Sequence, residues 1–243
     1  HGAQLVLAIG FTLAFWAVLF LGAQLFNLIG INALVRLLEQ AWFSMPATCA
    51  VFASAIHLTD LRSGMVRGAR ALGLVLLSWL LPAMAFIAAA FFVTLPFTGV
   101  QPLWETRTAT AILLCAAATL VVLINAAYQD GAHSAGFILR WSARVAAVLM
   151  TPLALLAAYA LWLRIDQYGL TPERIYAAAI LVIGGCYAVA YAIGAFWPRW
   201  MRTLEIGNIA SAFVMLAVII ALFSPIADPA RLSVADQMHR LAN

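Results

Sequence analysis

Lysine is absent from this chain of 243 residues, and charge of either sign is scarce. Thirteen arginines and nine acidic residues amount to 9% of the sequence. A water-soluble domain carries about a quarter charged residues and roughly half apolar ones. With 66% hydrophobic residues and a mean hydropathy of +1.03, too little charge is present to cover a surface facing water. Lipid is therefore the solvent for most of the chain. High-GC coding would give the all-arginine bias without any functional demand. The arginines are scattered through short loops and form no run or stripe, so the pI near 9.3 does not mark a nucleic-acid partner.

Cysteine is nearly as rare. Cys49, Cys115 and Cys186 lie in three separate apolar segments, with neither metal-ligand spacing nor a disulfide framework, and read as small core filler. Catalytic signatures are missing as well: no H-E-x-x-H, no G-x-S-x-G elbow, no P-loop and no dinucleotide fingerprint. No cofactor, metal site or catalytic residue is assigned. The first apolar run is too long, and lacks the basic flank, to be a signal peptide. A start at His1-Gly2 suggests a piece of a longer protein.

What is there is a series of apolar runs near the ~20 residues needed to span a bilayer. Seven spans are predicted, at 3–22, 43–58, 71–95, 108–128, 145–163, 175–197 and 206–223, forming a single all-α membrane domain over 1–243. Pro82 and Pro152 predict kinks in the third and fifth spans. Between the first two spans, Asn32 to Trp42 has the spacing of a short interfacial helix, and the tail after Ser224 also looks amphipathic. Asp130 to Arg144 reads as the longest polar stretch. In the loop from Arg164 to Arg174, Gly169 ends one helix and Thr171-Pro172-Glu173 starts the next with a cap, a proline in the first turn and an acid near the dipole. Asp228-Pro229 offers a similar start.

No Asp, Glu or Arg falls within the seven spans so drawn, which argues against a proton relay at membrane depth. Polar residues within them include Asn125, Tyr187 and Tyr191, either bonding between helices or lining a polar cavity. The sharper candidate is interfacial. Phe97–Arg107, Arg164–Arg174 and Pro225–Arg231 fall on one membrane side. They bring Trp104, Glu105, Arg107, Asp166, Tyr168, Glu173, Arg174, Asp228 and Arg231 to the headgroup level. Such a polar floor would bind a lipid headgroup or a protein partner. The plainer reading is a set of helix caps and interfacial ion pairs.

The runs Leu123–Gly131, Gln167–Arg174 and Pro225–Ser233, with Pro96–Gly99 and Pro102–Trp104, resemble a bacterial membrane family catalogued as domain-of-unknown-function family 4153. The likeness runs in order from about Phe15 to the C-terminus, and Leu170 stands where the family pattern admits Trp as readily. It implies a bacterial inner-membrane protein longer than this chain, and supplies no substrate or catalytic residue. Loops on one side carry seven arginines (at 62, 67, 70, 140, 144, 199 and 202) against six on the other, which places the tail outside. Membrane lipids are the expected partners, with a protein partner or a second copy as the other expectation. Three functions stay open: a binding or scaffold protein, a transporter hinged at the kinked spans and at Gly184-Gly185, and a lipid-modifying enzyme using Glu105, Asp166 or Asp228 as base.

Overall fold

The structure, a computed structural model, describes residues 2–61, 69–106, 108–128, 136–197 and 200–242. Among these every regular element is an α-helix. In chain order they are α1 (Gly2–Leu28), α2 (Ala33–Glu39), α3 (Ala41–Leu61), α4 (Ala69–Ser78), α5 (Leu80–Thr98) and α6 (Gln101–Glu105). Then follow α7 (Ala109–Ala127), α8 (Phe137–Tyr168), α9 (Pro172–Phe196), α10 (Trp200–Leu222) and α11 (Pro229–Ala242). Seven segments of the described residues are long and apolar enough to cross a membrane: Gln4–Leu28, Ala41–Thr59, Ala71–Thr98, Ala109–Ala127, Phe137–Tyr168, Pro172–Phe196 and Trp200–Leu222. The protein is thus a multi-pass α-helical membrane protein. Large apolar side chains such as Phe86, Leu155, Phe213 and Ile220 stay exposed, as a lipid-facing surface requires.

The helices extend further than the apolar runs suggest. α8 covers 32 residues, about 48 Å of helix, and takes in much of the stretch expected to be a polar loop. Its charges sit near its two ends, Arg140 and Arg144 at one and Arg164 and Asp166 at the other. Twenty residues from Arg144 to Arg164 rise about 30 Å, the thickness of the hydrocarbon core. The charge-free middle therefore survives although the span itself is longer. Prolines act unevenly. Pro82 lacks the N–H that would bond the Ser78 carbonyl, and its ring crowds that carbonyl, so the helix breaks between α4 and α5 at Trp79. Pro152 lies inside α8 without a break, and α9 runs unbroken through Gly184-Gly185, where a hinge was expected. Of the loop arginines that weigh on orientation, Arg62, Arg67 and Arg199 lie outside the described residues.

By contacts the chain divides into two compact units, 1–102 with 119–146, and 103–118 with 147–243. In the first, α1 packs on α3 and α5. The Trp16 indole donates to Thr48 Oγ1 at 3.1 Å, and a Cβ at Gly22 would come within 2.8 Å of Ile87, so the small residue lets α1 and α5 close up. In the second unit α10 lies along α9. A Cβ at Gly207 would meet that of Ala190 at 2.7 Å, the approach expected of small residues at a membrane helix interface. The cysteines are not core filler: Cys49 and Cys115 are exposed and Cys186 is half-buried. Apolar lipid removes the usual reason to bury a thiol.

Candidate functional site

Two arrangements in the second unit gather the polar residues. The first is the turn between α8 and α9. Gly169, at φ +75°, ends α8 by returning its N–H to the Ile165 carbonyl at 2.8 Å. Thr171 then caps α9, its hydroxyl accepting from the Arg174 N–H at 3.4 Å, with Pro172 and Glu173 in the first turn. Both helix ends are as the sequence predicts. The Arg174 guanidinium donates to the Gly169 carbonyl and lies 5.4 Å from the centroid of the Tyr168 ring, while Arg164 lies 5.9 Å from the same ring. One tyrosine thus gathers two cations.

A clasp from α11 holds this turn. Ser233, Asp236, Gln237 and Arg240 recur at the spacing of one helix face. Asp236 accepts the Leu170 N–H at 2.7 Å and Ser233 donates to the Leu170 carbonyl at 3.1 Å. Arg240 donates to the carbonyl of Ile165 (3.0 Å), which also takes the Gly169 N–H, and to that of Asp166 (3.2 Å), in the last turn of α8 where carbonyls lack a following turn to bond. It also pairs with Asp236 at 3.1 Å. The backbone hydrogen bond from Leu170 holds the Asp236 carboxyl below its ordinary pKa, helped by the hydrogen bond and charge of Arg240 and the charge of His239, with burial opposing.

The second arrangement is a cleft of about 760 Å³ between α7, α8 and α9. Its polar end is built by Thr108, Arg164, Tyr168, Glu173, Arg174 and Tyr176. Its apolar wall on α7 is Ala111, Leu114, Cys115 and Ala118, one helical face, opposed by Leu161 of α8 and Ala177 and Ile180 of α9. From Thr108 to Ala118 the cleft follows α7 for about 15 Å, half the hydrocarbon thickness. Tyr176 and Ile180 remain more than half exposed, so the cleft opens sideways.

Three of the nine expected interfacial residues, Tyr168, Glu173 and Arg174, line this cleft. Asp166 is absent from its lining and contributes its backbone carbonyl to the clasp. Asp228 caps α11, accepting from the Ala230 N–H at 2.9 Å, and Arg231 is exposed on that helix. The side chains of Trp104 and Glu105, and Arg107 entirely, lie outside the described residues. Reading from sequence missed the clasp, which lies two to nine residues beyond the segment singled out, from Ser233 to Arg240. It also missed Thr108, Arg164, Cys115 and Tyr176 as cleft residues. Of the intramembrane candidates, Asn125 belongs to the first unit and donates to the Val121 carbonyl of its own helix at 2.8 Å. Tyr187 and Tyr191 meet edge to face at 5.9 Å in the second, where fully buried Tyr191 donates to Asn208 at 2.7 Å. That pair ties α9 to α10. Among the described residues no three His, Cys, Asp or Glu side chains gather as a metal ion would need.

A family model described as "Domain of unknown function (DUF4153)" matches residues 3–243. The chain belongs to this family. No curated protein and no solved structure matches it. DUF4153 membership carries no activity with it, so what the cleft and clasp do is argued from their own chemistry.

Proposed function

We propose that this DUF4153 chain is a membrane-embedded binding protein of the bacterial inner membrane, whose cleft between α7, α8 and α9 takes one membrane lipid. The observation that carries this is the cleft itself: cationic and aromatic at one end, apolar beyond, and as deep as one leaflet. Guanidinium groups around Tyr168 are suited to a phosphate at the headgroup level, and the small side chains on α7 leave room for an acyl chain. A lipid enters sideways, past Tyr176 and Ile180, without leaving the bilayer. The tail and clasp lie on the outer side in this reading, following the one-arginine excess of the opposite loops.

Catalysis has less support, since Glu173 is the one carboxylate among the described residues lining the cleft. Transport through the middle of the bundle has less still, since Tyr191 is buried and committed to Asn208. Ala111 and Ala118 are exposed on the cleft wall, so Ala111→Phe and Ala118→Phe fill the cleft without overpacking a core. Purified gently into nanodiscs, the unaltered protein is expected to retain about one lipid per chain by native mass spectrometry. Each filling variant is expected to lose it, with stability changed by no more than about 0.5 kcal/mol, as for ordinary surface changes. Retention of lipid at the same stoichiometry in both variants defeats the proposal. A protein retained in place of lipid points to scaffolding.

A further inference from the structure

Building on the lipid reading of the cleft, we infer that its polar end selects a glycerophospholipid with a primary ammonium beside its phosphate, and that Glu173 recognises the amine. Two cations, Arg164 and Arg174, and one acid, Glu173, line that end. The cations are gathered at the Tyr168 ring, and Arg174 is steadied on the Gly169 carbonyl. Planar guanidiniums of this kind complement a phosphate, with several N–H donors on each.

Glu173 has a different role. Thr171, not Glu173, caps the helix. Among the described residues Glu173 has neither a hydrogen-bonding nor an ionic partner of its own. The side chain lies in the first turn of α9 and is exposed at the cleft's polar end. A headgroup that is only anionic would be attracted by the charge of the arginines and repelled by this carboxylate. A headgroup carrying an ammonium turns the same repulsion into attraction. A quaternary ammonium shares the charge but has no N–H to donate, which leaves the primary amine as the better match.

The test reconstitutes the full chain in nanodiscs with equal parts of ethanolamine, glycerol and choline phospholipids, and measures by mass spectrometry the lipid that stays bound. The unaltered protein is expected to enrich the ethanolamine lipid over the glycerol lipid about two- to fivefold, the range an exposed ion pair gives. Glu173→Gln is expected to bring that ratio near one, and Glu173→Asp to preserve part of the preference. Enrichment of the glycerol lipid by the unaltered protein, or an unchanged ratio in Glu173→Gln, overturns the inference. Paired Arg164→Gln and Arg174→Gln should lower all three lipids. If they leave total lipid unchanged, the cleft itself is not the lipid site, a failure distinct from loss of amine selectivity.

Discussion

Gly169 shows how one residue can serve two elements. Its positive φ ends α8, and a Cβ there would meet Asp236 Oδ2 at 2.5 Å, Arg240 Nε at 2.8 Å and Gln237 Nε2 at 2.9 Å. Gly99 has nearly the same backbone angle, +77°, with nothing within 4 Å. The pair therefore separates backbone strain from steric displacement of α11. Gly99, at φ +77° and ψ 171°, sits in a region open essentially to glycine, so Gly99→Ala should cost only backbone strain, about 1–3 kcal/mol. Gly169→Ala should cost that and also loosen the clasp, seen as faster proteolysis of the tail in detergent. Equal tail proteolysis in the two variants would show that the close approach at Gly169 does not hold α11 in place.

At the scale of the element, α11 is held by polar contacts, and its docking should follow the charge of Asp236. The carboxyl is held below its ordinary value of 3.8 in the folded state. Its contribution to docking is therefore fully present above about pH 4 and is lost as pH falls through the lower folded value. Tail protection measured by hydrogen exchange should be flat from neutral pH down to about 4 and fall below it. In Asp236→Asn, protection should be weaker at neutral pH and lack that acid limb. A limb of the same size in the variant would assign the effect to another group.

These helix ends were also the most legible part of the sequence. Gly169, Thr171-Pro172-Glu173 and Asp228-Pro229 act through local backbone chemistry, and local chemistry can be read from neighbours in the chain. Pro82 belongs with them, since its clash is with the carbonyl four residues back. The cleft was not legible, for a physical reason. In a membrane helix both the lipid side and the packed side are apolar, so periodicity does not say which face of α7 looks inward. Ala111, Leu114, Cys115 and Ala118 read as ordinary span residues, and only the spacing of three helices leaves room beside them. The clasp had a sequence signal, the spacing of Ser233, Asp236, Gln237 and Arg240, but its target lies more than sixty residues earlier.

For the whole molecule, α8 sets the membrane frame. Its charges fall into two groups separated by about 30 Å of uncharged helix, a hydrocarbon core's thickness, so its ends must emerge on opposite faces. Gly136, just before the first group, and Gln167, just after the second, are both exposed. With Cys49, Cys115 and Cys186 replaced by Ser, single cysteines at these two positions can be labelled by a membrane-impermeant maleimide. Gly136→Cys should react in inverted vesicles and Gln167→Cys in right-side-out ones, as the arginine excess on the Gly136 side requires. Labelling of both from the same face would refute α8 as a span. The opposite pattern would keep the span and reverse the orientation, moving the cleft's polar end and the α11 clasp to the cytoplasmic leaflet. The lipid would then be drawn from the inner leaflet, although the cleft's depth and residues would be unchanged.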